Sequence, residues 1–363
     1  MTKIICIRQT WSHMASVSGF DVLAESLSRL PNVELASIRN VQAKCSKKRD
    51  LAWYMRKLGL TKSSQRPNRL PITPFWNPVN SDLTRRALAE LEASPADALV
   101  LLMALEDQFD AELVGIDAQS KRQIIVVAHQ PPAWYRLNWR DFSALDGLGG
   151  IICLSQSQQD FFAIVTNAPL IQLKHGVRSD FFSPQASLKT EVDKRLLFVG
   201  QWLRDLDVLE RAMHYIWKQQ PETKLDCVIP RSSRSHPALY RLARDHRVVW
   251  HAVLDAEALR GLYRRATLLF LPLLDSTANN AIIEALASGL PIVSTRVGGV
   301  DEYVRSECGE LCTVGDELAH ADAVMRWLDD AGRRTKAGVF ARNFAVENLD
   351  WGRISVGLLN QLV

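Results

Sequence analysis

Short runs of consecutive apolar residues alternate along this chain with longer stretches in which apolar positions recur every three or four residues. In the first half the runs are KIICI (3–7), VELASI (33–38), ALVLLM (98–103), QIIVVA (123–128), GIICLS (150–155) and a weaker LIQL (170–173). In the second half they are RLLFVG (195–200), LDCVI (225–229), VVW (248–250), TLLFL (267–271), PIVST (291–295) and ELCTV (310–314). An unbroken apolar run suits a strand buried on both faces, and the amphipathic stretch after it supplies the crossover that parallel pairing requires. The polar stretch 178–194, RSDFFSPQASLKTEVDK, divides the two series and reads as an interdomain linker. The pattern therefore predicts an α/β protein of two doubly wound, Rossmann-like parallel-sheet domains.

Length agrees with this division, since 363 residues exceed one ordinary core. No apolar run approaches the ~20 residues of a membrane span, and the start, MTKIICIRQTW, has no apolar core of a signal peptide. Six cysteines are scattered without a framework, and four of them (Cys6, Cys153, Cys227, Cys312) fall in apolar runs. Cys308 and Cys312 are spaced too widely for a redox pair and have no His or Cys cluster beside them. A reducing cytoplasm is the expected compartment.

The net charge is only +4, but residues 44–69 hold nine Lys or Arg against one Asp. Lys47, Lys48, Arg49, Arg56 and Lys57 are interleaved there with Trp53 and other apolar side chains. Such a segment reads either as a solvated basic loop or as a patch for anionic lipid or a phosphate-bearing acceptor. No nucleic-acid-binding module accompanies it, so nucleic acid is not an expected partner.

Ligands of doubly wound sheets sit outside the carboxyl ends of the strands, so the strand-to-helix loops are the places to search. After the first strand, Gly19 permits close backbone approach at a helix start, where an anion is favoured; His13 in the same loop reads as an exposed bystander. After QIIVVA comes His129, followed by two prolines and Trp134–Tyr135. It is placed either to meet a substrate or to be satisfied by backbone while the aromatics pack. Gly200 ends a strand and Arg204 precedes a helix, where a guanidinium can hold a phosphate. Asp205 and Asp207 lie in that helix's first turn and read as cap and dipole partners, one of them holding Arg204, rather than as metal ligands. Residues 275–280, DSTANN, lead from a central strand into a helix capped by Asn279 or Asn280 and closed by Gly289. Glu284 stands one turn into that apolar helix, and a buried carboxylate needs partners: sugar hydroxyls or a nearby Arg.

These residues carry a family resemblance. FVGQWLRDLDVL (198–209) and ATLLFLPLLDSTANNAIIEALASGLPIVSTRVGGVDEYV (266–304) resemble the nucleotide-sugar-binding domain of GT-B glycosyltransferases of the retaining family 4 group. LKHGVRSDFFSP (173–184) and FAVENLDWGRISVGLLNQLV (344–363) resemble that family's linker and its C-terminal helix. The resemblance implies a GT-B fold whose two domains face a cleft: an acceptor-binding domain (1–177), the linker (178–194), a nucleotide-sugar-binding domain (195–345) and a helix crossing back (346–363). It implies that Glu284 contacts ribose hydroxyls and that Arg204 binds the diphosphate. The backbone of Ser276, Thr277, Asn279 and Asn280 would touch phosphates and donor sugar, Gly19, Gly200 and Gln201 would line the donor, and His129 would stand near the reacting centre. Three departures stand out: Ser276 occupies the place of the family's first acid, Gln201 replaces an Arg, and the segment from Gly200 to Arg204 is about two residues short.

The expected function is transfer of a sugar from a nucleotide diphosphate to an acceptor hydroxyl with retention, without a metal or other cofactor. The basic segment points to a lipid-linked saccharide of bacterial surface polysaccharide synthesis, such as lipopolysaccharide, handled by a peripheral protein at the inner face of the cell membrane. The alternatives are a soluble transferase with a small-molecule acceptor, and a catalytically silent nucleotide-sugar-binding partner.

Overall fold

The computed structural model describes residues 2–8, 19–39, 78–109, 113, 116–185, 194–252 and 254–362. His13 and the basic segment with Lys47, Lys48, Arg49, Trp53, Arg56 and Lys57 lie outside them. The chain forms two compact units, one built on residues 1–10, 32–153 and 160–171, the other on 11–31, 154–159 and 172–363.

The first unit is a six-stranded sheet of β1 (Thr2–Arg8), β2 (Val33–Arg39), β3 (Leu99–Leu102), β4 (Ile124–Ala128), β5 (Gly150–Cys153) and β6 (Leu170–Gln172). Their order is β2-β1-β3-β4-β5-β6, and the register pairs Ile4 with Leu99 and Val126 with Ile151 in parallel. Ile5, Val100, Val126 and Ile151 are buried, as a sheet covered on both faces requires. The helix Pro78–Glu92 makes the crossover between β2 and β3 and buries Leu83, Ala87 and Leu91, spaced four apart along one face.

The second unit holds β7 (Arg195–Val199), β8 (Lys224–Val228), β9 (Val248–His251), β10 (Leu268–Leu271), β11 (Ile292–Thr295) and β12 (Gly309–Cys312). All pair in parallel, in the order β12-β11-β10-β7-β8-β9. The twelve strands among the described residues coincide with the twelve apolar runs of the sequence. In each sheet the strand order reverses once, between β1 and β3 and between β7 and β10, and the ligand crevice of such a sheet lies beyond the carboxyl ends of those two strands.

Two features of the second unit were not legible in the pattern. The helix Phe20–Ser28 groups with this unit and packs on the helix Trp351–Leu362, Phe20 meeting Trp351 edge-on at 5.1 Å. The described part of the stretch read as a polar linker also packs: Phe182 is fully buried, and Arg342 Nη1 donates to the carbonyls of Ser179 and Phe182 at 2.7 and 2.8 Å. The buried Asp226 of β8 accepts from Arg195 at 2.9 Å and Arg265 at 3.1 Å and pairs with His251 at 2.5 Å. Burial opposes ionisation of Asp226, but these hydrogen bonds hold its carboxyl below the usual range. Cys6, Cys153, Cys227, Cys308 and Cys312 are buried thiols outside any disulfide. None of the helices among the described residues is long and apolar enough to cross a membrane.

Candidate functional site

The carboxyl ends of β7 and β10 bring together most of the residues singled out in the second half of the sequence. After β7, Gly200 turns the chain with φ of 88°, a left-handed conformation that favours glycine. A Cβ there would meet Arg204 Nη2 at 2.7 Å, so the missing side chain is also what lets the guanidinium lie across the turn. Arg204 is held by Val199 O at 3.0 Å through Nε, Trp202 O at 2.9 Å through Nη1, and Asn279 Oδ1 at 3.3 Å through Nη2. Each partner is a neutral oxygen, so the arrangement fixes the cation without cancelling its charge. Burial lowers Arg204 to about 10, which leaves it charged at neutral pH.

The loop after β10 is fastened to this turn and to the turn after β11. Leu274 N donates to Leu203 O at 2.9 Å, and Asp205 N to Pro272 O at 3.0 Å. Gly299 N donates to Ser276 O at 3.0 Å, and a Cβ on Gly298 would stand 1.8 Å from that oxygen, so the Gly298–Gly299 pair is what allows the two loops to touch. Ser276, Thr277 and Asn279 are buried in consequence.

Asn279, rather than Asn280, caps the helix Asn280–Ala287: its Oδ1 accepts from Ala281 N at 3.1 Å while also accepting from Arg204. One side chain thus couples the helix start, where backbone N–H groups favour an anion, to the cation. Glu284 is 3 % exposed, and its Oε2 accepts from the Tyr263 hydroxyl at 2.8 Å. Burial and the adjacent carboxylate push the Tyr263 phenol well above its ordinary range, so it stays a donor.

Neither acid of the Asp-x-Asp sequence holds Arg204, contrary to expectation. Asp205 is the cap of the helix Leu206–Gln219, accepting from Val208 N at 2.9 Å, and Asp207 faces Arg241 at 3.5 Å and His236 at 3.9 Å. Caps and surface cations outcompete an arginine already taken by carbonyls. Gln201 is exposed, and Gly19, with φ of 76°, starts the helix Phe20–Ser28.

The first unit places His129 directly after β4, and its Nε2 lies 2.6 Å from Met103 O. The loop is organised by Glu106, which sequence reasoning missed. Its Oε1 accepts from the backbone N–H of His129 and of Gln130, each at 2.7 Å, and from the Tyr135 hydroxyl. Tyr263 and Trp202 were missed as well. Trp202 adjoins the Arg204 turn and is 53 % exposed. An aromatic next to a strand-end glycine was the available signal for Trp202; for Tyr263 and Glu106 there was none beyond membership of an amphipathic helix or a strand end.

Residues 193–330 match the family described as Glycosyl transferases group 1. Among curated relatives, a D-inositol 3-phosphate glycosyltransferase of Corynebacterium diphtheriae is 29 % identical over 197 residues, 48 % of this chain and 46 % of the relative. Another of the same description, from Nocardia farcinica, is 33 % identical over 174 residues, 45 % of this chain and 38 % of that one. The chain thus spans about half the length of the curated relatives it matches. Among solved structures, the sucrose-phosphate synthase of Thermosynechococcus elongatus superposes with a TM-score of 0.68 at 17 % identity, covering 99 % of this chain and 98 % of that one. WaaG, a glycosyltransferase involved in lipopolysaccharide biosynthesis, gives 0.65 at 16 % identity, with 99 % of each chain covered. Those structures share the fold: two parallel six-stranded sheets of the GT-B type. Within that fold, the match to the Glycosyl transferases group 1 family falls on residues 193–330, which hold all six strands of the second unit.

Proposed function

We propose that the protein is a glycosyltransferase that moves a sugar from a nucleotide diphosphate to an acceptor hydroxyl, and that the donor binds at the carboxyl ends of β7 and β10. The observation that carries this reading is the convergence of Arg204, Asn279 and the helix start at Asn280 with the buried Glu284–Tyr263 pair, at the point where the strand order reverses. The helix N-terminus and Arg204 bind the diphosphate, and Glu284 accepts from ribose hydroxyls. In the reaction the bond between the anomeric carbon and the diphosphate oxygen breaks and the acceptor oxygen bonds that carbon. The acceptor proton leaves with the diphosphate or to water. Negative charge grows on the leaving diphosphate, where a fixed cation and aligned N–H groups lower the barrier most because they need no reorganisation. No metal is needed where those groups supply the charge. Ser276, at the place of the family's first acid, contributes a hydroxyl to the donor sugar, and His129, its ring steadied by Met103 O, orients the acceptor side. Retention at the anomeric carbon follows the family pattern.

Two acceptor classes have support. The descriptions of the curated relatives favour a small phosphorylated polyol. The basic, aromatic composition of residues 44–69 favours a lipid-linked saccharide at an anionic membrane face, met by a peripheral cytoplasmic protein. Incubation with a panel of nucleotide sugars, followed by detection of released nucleotide diphosphate, tests the donor reading. Release stimulated by an inositol phosphate in the absence of lipid assigns the first acceptor class. Release that depends on anionic vesicles and falls on neutralising Lys47, Lys48, Arg56 and Lys57 assigns the second. Donor binding with neither transfer nor hydrolysis would mark a silent binding partner and refute the enzymatic reading.

A further inference from the structure

A cavity of about 610 Å³ lies in the second unit, at the opposite end of the helix Asn280–Ala287 from its Asn279 cap. The C-terminal end of the helix Ala256–Arg265, the turn 288–291 and the helix Ala331–Asn348 line it. Three guanidinium-bearing side chains are among the lining residues: Arg264, Arg334 and Arg342. Each is anchored by neutral oxygens. Arg264 donates to Ser183 O and Ser183 Oγ, both at 2.8 Å; Arg334 to Trp327 O at 2.7 Å and Leu328 O at 2.6 Å. Arg342 donates to Ser179 O, Phe182 O and Ala287 O at 2.7, 2.8 and 2.9 Å.

Carbonyls position a cation without neutralising it. No carboxylate lines the cavity among the described residues. Asp329 and Asp330 influence Arg334, and Asp180 and Asp350 influence Arg342, less than burial does, and burial draws both arginines below their ordinary range. Three like charges around one space repel one another, and an anion in that space would relieve the cost. Ser288 lines the cavity at 5 % exposure with its hydroxyl turned away from the open space, so the arginines are the charged groups that a ligand would meet there. The exposed side chain of Val339 adds apolar surface at the same cavity. The volume lies in the range of small-molecule sites.

We propose that this cavity is a binding site for a phosphate ester, the phosphate held by Arg264, Arg334 and Arg342 and the organic part resting on Val339. The site is additional to the donor site and does not depend on that reading. Tyr263 lines the cavity and donates to Glu284, so a bound ester stands one side chain away from the acid assigned to the donor.

The test is calorimetric titration of glycerol 3-phosphate into the full chain, paired with flotation on phosphatidylglycerol vesicles against phosphatidylcholine vesicles. Val339→Glu, or Thr335→Glu as a second exposed position on the same helix, places a carboxylate among the arginines without removing an anchor. Binding is expected to weaken at least tenfold in either variant, while Thr335→Gln and Arg204→Gln stay within about twofold of the wild type. Binding of the soluble ester identifies a free metabolite as the ligand; binding of the anionic vesicles alone identifies a lipid headgroup. The proposal is overturned if neither probe binds, if the Glu variants bind as the wild type does, or if Arg204→Gln abolishes the signal, which would place the anion at the β7–β10 site instead. Should no nucleotide bind the protein, the donor reading fails and this titration still decides the cavity.

Discussion

Each unit contains a buried glutamate that accepts from a buried tyrosine, and each glutamate follows a strand at which its sheet reverses order. In the first unit, after β3, Glu106 accepts from Tyr135; in the second, after β10, Glu284 accepts from Tyr263. Both tyrosines are pushed well above their ordinary range by burial first and by the neighbouring carboxylate second. The two acids part company in what surrounds them. Glu106 Oε1 is filled by two backbone N–H groups of the His129 loop and the phenol, so its negative charge is used to hold a loop in shape. Glu284 stands in an otherwise apolar helix whose cap, Asn279, is shared with a fixed cation, Arg204. A buried acid at a strand end is therefore not a binding site by itself. The proposed donor site differs from it in the company of a cation held by neutral oxygens and of a helix start.

The comparison can be broken where the expected effect is largest. Glu106→Ala leaves two backbone N–H groups and a phenol without their acceptor, and a loss of about 3–5 kcal/mol of stability is expected from buried donors of this kind. Urea unfolding measures it. A loss under about 1 kcal/mol would mean that the loop is held by something other than Glu106.

Next comes the neighbour of Glu106. Burial, and then the Glu106 charge, raise Asp107 from 3.8 to about 6. A carboxyl whose folded pKa lies above its unfolded value stabilises the fold below about pH 4 and loses that contribution as pH rises through 6. Asp107→Asn should therefore stabilise the protein at pH 7 by about 2 kcal/mol, with the gain vanishing near pH 4. Unfolding midpoints across that window check the sign.

The smallest effect on stability belongs to the second unit. Gly200→Ala forces a side chain into a left-handed backbone conformation and against Arg204 Nη2, at a cost of about 1–2 kcal/mol. Because the guanidinium must move, donor affinity should fall as well, by about tenfold, or about 1.4 kcal/mol. Equal affinity in this variant would detach Arg204 from the site and remove the contrast with Glu106.

Every strand among the described residues was legible because a strand of a covered parallel sheet is an unbroken apolar run, a one-dimensional signal. The Asn279 cap and the closing Gly289 were legible for a similar reason, each being fixed by its local place at a helix end. Pairings across the fold were not. Tyr263 and Glu284 are 21 residues apart, and Glu106 and Tyr135 are 29 apart, on elements that only the packed structure brings together. An apolar pattern reports that such residues are inside without reporting what they face. The same limit explains the misplaced expectation for Asp205 and Asp207: their position at a helix start was correct, but the partner of Arg204 was set by carbonyls and an asparagine that tertiary structure supplies. Likewise, the segment read as a polar linker contains Phe182, whose burial depends on a core assembled from residues far along the chain.

The central claim is that Glu284 belongs to a nucleotide-diphosphate-sugar site. The most direct measurement is calorimetric titration of a panel of nucleotide diphosphates and their sugars into the wild type and into Glu284→Gln, which keeps an acceptor for Tyr263 while removing the charge. One nucleotide binding the wild type, with affinity at least tenfold weaker in the variant and a similar unfolding midpoint, is the predicted result. Unchanged affinity in Glu284→Gln, or no binding by the wild type, would contradict the assignment.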